Sequence, residues 1–402
     1  MIKTYKKRDL YLKRLMPFIG KSLIKVIVGQ RRVGKSYFLF QVMDELLKHG
    51  LKKSEILYIN KESLDFDFVK DYKDLVTCIK KAEKKGKIKA IFIDEIQDII
   101  DFQKALRHLQ TMEKYDIYCT GSNANMLSGE IATTLSGRYI EMEIFSLSYA
   151  EFLDFHGLSE SDDALLSYIK YGGLPYLVNL KLEDDIAYDY LKNIYNTIIL
   201  KDVIARFNVR NLAFLEKLIE FLADNTGSLI SAKKISDFLI SQKVNISANV
   251  ILNYLSYLSA AFLIFRVSRM EVKGRKIFEI NDKHYFEDLG LRHSIIKYKQ
   301  VDIGKILENL VYMHLRVSGY KVFVGQINGK EVDFVAEKDG KVVYIQVAYL
   351  MVDEKTKDGE FGNLLAINDN YRKIVVTMDK LSGGDYMGIE QVHIRDFLSK
   401  YL

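Results

Sequence analysis

The sequence predicts an α/β protein: a parallel, helix-covered sheet in the first third of the chain, followed by helical and mixed segments. Three observations predict it. The octapeptide Gly29-Gln30-Arg31-Arg32-Val33-Gly34-Lys35-Ser36 matches G-x-x-x-x-G-K-[ST]. The apolar run Ile24-Lys25-Val26-Ile27-Val28 leads directly into it, and Tyr37 to Leu47 follows with helical apolar spacing. Further on, Ile56-Leu57-Tyr58-Ile59, Ala90-Ile91-Phe92-Ile93, Ile117-Tyr118-Cys119-Thr120 and Tyr139 to Ile144 alternate with helical patterns, as strands buried on both faces do.

The octapeptide carries a mechanism. Its glycines let the backbone wrap a triphosphate, successive N–H groups point inward, and the N-terminus of the following helix adds positive potential. Residues Gly29, Gln30, Arg31, Arg32, Val33, Gly34, Lys35 and Ser36, with Tyr37 beside them on the helix, are the expected nucleotide contacts. Lys35 is expected at the β- and γ-phosphates of ATP, and the Ser36 hydroxyl on Mg²⁺.

With 402 residues, 49% of them hydrophobic, the chain can bury a large core in two or three domains. The N-terminus has no apolar signal core and no stretch approaches a membrane span, which predicts a cytoplasmic protein without membrane contact. Two cysteines, Cys78 and Cys119, exclude a disulfide framework or a cysteine metal site. The net charge of +6 is concentrated: residues 1 to 35 hold 11 Lys/Arg against Asp9 alone, and the remainder is slightly acidic. That placement favours a nucleotide's negative charge over a general DNA-binding surface.

The third run ends in Asp94-Glu95, a Walker B pattern. Asp94 is expected to hold the Mg²⁺ shell and Glu95 to orient or activate the attacking water. The next strand closes in Thr120-Gly121-Ser122-Asn123, where Ser122 or Asn123 is either a γ-phosphate sensor or the N-cap of the next helix. Arg138, in Leu135-Ser136-Gly137-Arg138, precedes the last core strand. From there it reaches a γ-phosphate across a subunit interface, locks the core in cis, or forms a surface ion pair.

Together with Ser146-Leu147-Ser148-Tyr149-Ala150-Glu151-Phe152, these motifs resemble the prokaryotic AAA-type ATPases that carry a C-terminal DUF4143 domain, over nearly the whole chain. The resemblance implies an AAA+-like P-loop core in residues 1–145 and a helical lid in 146–210. Within the lid, Gly172-Gly173-Leu174-Pro175 resembles the G-x-P signature of signal-transducing AAA relatives, which implies that Pro175 packs near the adenine. A plain helix break needs the same residue types.

Residues 211–285 read as a winged helix: Phe214 to Asp224, Ala232 to Ile240 and Ser247 to Ala260 as helices, with Lys273-Gly274-Arg275-Lys276 turning the wing. Asn249 and Asn253 are then candidates for base edges, and Lys273, Arg275 and Lys276 for phosphates. Ten bases against seven acids in this segment weaken the DNA reading.

In 286–402, Glu308, Glu331-Val332-Asp333 and Val343 to Ala348 follow the order of the PD-(D/E)xK nuclease fold, with 13 residues from Asp333 to Gln346. Glu308, Asp333 and Gln346 are the candidate metal positions. Gln346 replaces the usual acid and Ala348 the lysine, which predicts a degenerate nuclease-like domain used for binding or assembly. The functional expectation is a Mg²⁺-dependent ATPase switch. The alternatives are an ATP-regulated DNA-binding or nuclease-like module, and a scaffold that holds ATP without turnover. A homo-oligomer or a protein partner fits the position of Arg138.

Overall fold

Five consecutive buried residues, Ile24–Val28 (β1), leave no face for solvent, so this strand needs neighbours on both sides and cover above and below. It lies in a five-stranded sheet with Ile56–Asn60 (β2), Ala90–Asp94 (β3), Asp116–Gly121 (β4) and Tyr139–Glu143 (β5), in the order β2-β3-β4-β1-β5. Every pairing is parallel. The register sets Val28 beside Gly121 and Ile93 beside Cys119, so the C-terminal ends of β1, β3 and β4 share one edge. Helices Asp9–Leu15 (α1), Lys35–Lys48 (α2), Tyr72–Lys85 (α3) and Phe102–Thr111 (α4) accompany it. Phe92 and Tyr118 stack across β3 and β4 with centroids 4.5 Å apart.

The structure is a computed structural model and describes residues 5–127, 135–241, 244, 246–278, 281–350, 354–379 and 384–400. It divides into two compact units. The first runs to Phe145 and includes Ala260–Phe262, and the second comprises Ser146–Ser259 and Leu263–Leu402. No described helix is long and apolar enough to cross a membrane.

The second unit begins with helices Tyr149–His156 (α5), Asp162–Tyr171 (α6) and Asp184–Thr197 (α7). Ser148 and Glu151 form a capping box that fixes the start of α5. Helices Leu212–Asp224 (α8), Ala232–Ser241 (α9) and Ala248–Ala260 (α10) follow. Ile264–Val267 (β6) pairs antiparallel with the strand Lys283–Phe286, and Ile230 bridges Asp282.

The expected turn at Lys273 to Lys276 exists, joining Arg269–Glu271 (β7) to Lys276–Ile277 (β8), but its strands do not extend the β6 pair. They belong instead to an eight-stranded sheet, because β7 pairs in parallel with Lys321–Ile327. Two of the turn's three bases are engaged: Lys273 donates to Asn328 at 3.1 Å, and Arg275 lies 3.4 Å from Glu337.

With β9 denoting Lys283–Phe286, the chain continues through Leu289–Ile296 (α11), Ile303–Val317 (α12), Lys321–Ile327 (β10), Lys330–Lys338 (β11), Lys341–Ala348 (β12), Glu354–Leu365 (α13) and Arg372–Thr377 (β13). It closes with Gly384–Tyr386 (β14), Ile389–His393 (β15) and Ile394–Lys400 (α14). The pairs β10/β11 and β11/β12 are antiparallel, while β12/β13 is parallel.

Two histidines are buried in this unit. Neither nitrogen of His284 has a partner among the described residues, and burial followed by the charge of Arg266 lowers its pKa from 6.5 to about 4. Burial and then Arg292 lower His293 to about 3. Both must fold neutral, so the unfolded chain binds more protons below about pH 6.5, and stability falls as the pH drops from there. Acidification to pH 4 should cost roughly 3 kcal/mol through each of these histidines, by one unit of pKa shift being about 1.4 kcal/mol. Urea midpoints across this range would show it, and His284→Phe should flatten the dependence.

Candidate nucleotide-binding site

The loop that leaves β1 is pressed against the chain beside it. Gly29 has φ +152°, and a β-carbon there would lie 2.1 Å from the Ile144 carbonyl oxygen, so no side chain fits. Gly34 takes φ +98° at the head of α2, again glycine's territory. The Lys35 ammonium folds back into the loop, donating to the carbonyls of Gly29 at 3.0 Å and Gln30 at 2.9 Å. It lies 3.8 Å from Glu95. Ser36 and Tyr37 occupy the first turn of α2, and Arg31 reaches Glu62 at 3.4 Å, whereas Arg32 is exposed in a left-handed conformation.

Arg8, which in the sequence stands out only as part of a basic segment, braces this loop from beneath. It is 4% exposed, and its Nη1 donates to the carbonyls of Val33 at 3.1 Å and Phe145 at 2.7 Å. Its backbone N–H donates to Gln41 at 3.0 Å.

At the end of β3 the two carboxylates are held by different groups. Asp94 accepts from the Thr120 hydroxyl at 2.5 Å and from the Tyr58 hydroxyl at 2.8 Å. Thr120 also accepts the N–H of Glu95 at 2.9 Å, so one hydroxyl fixes both acids. Glu95 sits at φ +56°, a costly conformation for a residue with a β-carbon and one that clusters at functional sites. Gln97 donates to its carboxylate at 2.5 Å. Burial works to raise the Glu95 pKa, but Lys35, Gln97, Arg31 and Ser122 outweigh it and hold the group below the ordinary value, ionised at neutral pH.

Ser122 and Asn123 have different partners. Ser122 is buried and hydrogen-bonds Glu95, whereas the Asn123 side chain accepts the N–H of Asn125 at 2.9 Å and caps a short 3₁₀ turn, Ala124–Leu127. Arg138 lies elsewhere. Its carbonyl accepts the N–H of Ile24 at 2.9 Å, at the N-terminal edge of the sheet. The length of β1, about 13 Å at 3.3 Å per residue, separates that edge from the loop. The Arg138 backbone thus lies at the end of the sheet opposite the phosphate-binding loop.

Pro175 belongs to the second unit, where it opens a 3₁₀ helix, Pro175–Asn179. The glycines before it answer to local packing: a β-carbon on Gly172 would meet Asp288 at 2.2 Å, and one on Gly173 the Leu147 carbonyl at 2.4 Å. The Asp288 carboxylate accepts the Gly173 N–H at 2.7 Å.

Glu308 on α12, Asp333 on β11 and Gln346 on β12 do converge. Gln346 accepts the N–H of Asp333 at 3.3 Å, and Asp333 accepts the N–H of Val347 at 2.9 Å. Sequence reasoning missed the residue that stands among them. Lys283 on β9, with its side chain 3% exposed, places its ammonium 2.6 Å from Glu308, 2.6 Å from Glu331 and 3.4 Å from Asp333. Burial works against this charge, but the three carboxylates push its pKa above the ordinary lysine value. Tyr285 donates to Glu308 at 2.5 Å. The donors are thus committed to an ammonium, and no group of three or more His, Cys, Asp or Glu among the described residues is placed to hold a metal. Ala348 is buried in the apolar cluster beneath the sheet. Lys283→Met should destabilise the second unit by about 3–5 kcal/mol by leaving buried carboxylates unpaired, read from urea unfolding, with Lys283→Arg recovering part of the loss.

A family model described as "AAA domain" matches residues 21–153. A second, "Domain of unknown function (DUF8612)", matches 162–302 and stands in place of the expected DUF4143. An uncharacterized protein of Haemophilus influenzae is 39% identical over 403 residues, covering 99% of this chain and 100% of that protein. The uncharacterized protein MJ1544 of Methanocaldococcus jannaschii is 33% identical over 373 residues, covering 88% and 79%. Among solved structures, the Walker-type ATPase PABY2304 of Pyrococcus abyssi superposes with a TM-score of 0.51 at 13% identity, covering 73% of this chain and 96% of that one, and shares the fold.

Proposed function

We propose that this chain, whose residues 21–153 match an AAA domain, is a Mg²⁺-dependent ATPase that works as a nucleotide-driven conformational switch. The observation that carries this reading is the convergence of Lys35 and an ionised Glu95, 3.8 Å apart, at the edge where β1, β3 and β4 end. Lys35 has exchangeable partners, two carbonyls and a carboxylate beyond hydrogen-bond distance, so a phosphate can draw it away. Glu95, released from that charge, orients water for in-line attack on the γ-phosphorus as the bond to the β-phosphate oxygen breaks.

Asp94 keeps free lone pairs beyond those given to Tyr58 and Thr120, and together with the Ser36 hydroxyl it suits a hydrated Mg²⁺. The ion would neutralise charge on the β- and γ-oxygens. Ser122, bonded to Glu95, is the sensor we favour over Asn123. Arg138, remote from its own loop, suits a neighbouring copy of the chain. Pro175 is proposed to pack near the adenine.

The element order α8, α9, α10, β6, β9 supports a winged-helix reading of 211–285. The order α12, β10, β11, β12, α13, β13 supports a nuclease-like reading of the segment after it. An ATP-regulated DNA-binding module is the second reading, favoured by Asn249 and Asn253, which are exposed on α10. It loses phosphate contacts because Lys273 and Arg275 are engaged, and it predicts duplex binding that weakens steeply with salt.

Lys35→Ala should abolish binding of a fluorescent ATP analogue. Glu95→Gln should keep that binding and lower turnover by roughly 10²-fold or more. Normal hydrolysis by purified Glu95→Gln protein would overturn the assignment. Arg138→Ala should also slow hydrolysis, and mixing it with Lys35→Ala chains should restore part of the activity, because each chain supplies the group the other lacks. Absence of rescue would remove the trans role.

A further inference from the structure

One side chain of the phosphate-binding loop is buried and spent on a contact distant in sequence. Gln30 is 0% exposed, and its side-chain amide donates to the carbonyl of Phe262 at 2.8 Å, across 232 residues of sequence. Its other side-chain atom, Oε1, has no partner among the described residues, so the amide is held by this single bond. The same residue's backbone carbonyl receives the Lys35 ammonium at 2.9 Å. One peptide unit is therefore tied to the catalytic lysine through its carbonyl and to Phe262 through its side chain.

Phe262 is unusual in its own right. It is a bulky residue with φ +56°, a conformation that a β-carbon disfavours, and it is 3% exposed. It lies just beyond the end of α10, and the next residue, Leu263, leads into β6 and accepts the N–H of Glu287 at 3.2 Å. Although its flanks belong to the second unit, Ala260–Phe262 packs within the first. A strained backbone persists only where its surroundings over-determine it, and the Gln30 amide is one of those determinants.

We infer that Gln30 reports occupancy of the phosphate-binding loop to the turn at Phe262, and through the continuous chain to α10 and β6. The inference rests on the ATPase reading. When Lys35 leaves the Gln30 carbonyl for a phosphate, that peptide loses its charged partner and is free to reorient. Its side chain moves with it, and the constraint on Phe262 changes. The strained turn at Phe262 is held in part by the Gln30 bond, so a change in that bond shifts the balance of conformations open to the turn. By linkage, anything that shifts the turn must alter nucleotide affinity by the same factor.

The test is a double-mutant cycle on the full chain, measuring Kd for ADP and for a non-hydrolysable ATP analogue with Mg²⁺. Phe262→Gly keeps the carbonyl but removes the penalty of the left-handed backbone. It should shift Kd at least threefold in the otherwise unaltered protein and by less than 1.5-fold in a Gln30→Met background, where no donor remains. Equal shifts in both backgrounds, or none in either, overturn the coupling. Hydrogen exchange at nucleotide concentrations saturating each protein supplies a second readout. Amides of residues 254–266 should change several-fold on ligand addition in the unaltered chain and stay constant in Gln30→Met, and a full response in Gln30→Met overturns the inference. Failure of the unaltered chain to bind either nucleotide would instead refute the ATPase reading itself.

Discussion

An ammonium taken out of water must be given negative partners, and how close those partners stand decides whether it can move again. Two of the buried lysines answer this requirement with opposite results. Lys35 has two backbone carbonyls and a carboxylate 3.8 Å away, enough to hold it in place and weak enough to exchange. Lys283 has two carboxylates at 2.6 Å and a third at 3.4 Å, an arrangement that has no reason to open. The parallel sheet, the glycines of the loop and the brace of Arg8 all serve the first arrangement, because a loop whose backbone wandered could not offer its carbonyls to Lys35.

Much of the first unit was legible because its chemistry is contiguous. A strand, a glycine-bounded loop and a helix occupy successive positions, and Asp94-Glu95 and Ser122-Asn123 sit at ends of strands that announce themselves by composition. The support for these groups could not be read. Arg8 acts on Phe145, Tyr58 on Asp94 and Thr120 on both acids, over separations of 137, 36 and 25 to 26 residues. Nothing local distinguishes such a tyrosine or threonine from one that merely suits a strand.

The second unit was harder for a related reason. Gly274 makes the turn between Lys273 and Lys276 a sound local prediction, yet the partner of a strand is chosen by register with distant chain, and β7 pairs with β10. Lys283 lies in the buried run Lys283–Phe286, where a cation among apolar neighbours is the one available signal that acids must meet it. The absent lysine at Ala348 was visible, but the one that enters the same cluster from another strand was not. Gly172 and Gly173 match a nucleotide-sensing signature, and their packing against Asp288 and Leu147 explains them without one.

The placement of Lys283 also has a consequence for how the protein responds to its surroundings. A dissolved cation occupies its seat in proportion to its supply, but a cation carried on the chain has a fixed effective concentration that neither dilution nor chelation lowers. Among Glu308, Glu331 and Asp333 the compensating charge is therefore supplied by the chain itself rather than by a dissolved cation. The first unit, on the reading proposed, samples that medium continually for phosphate and Mg²⁺. A single chain thus joins a cluster whose cation is built in to a site that, on that reading, takes its phosphate and Mg²⁺ from solution.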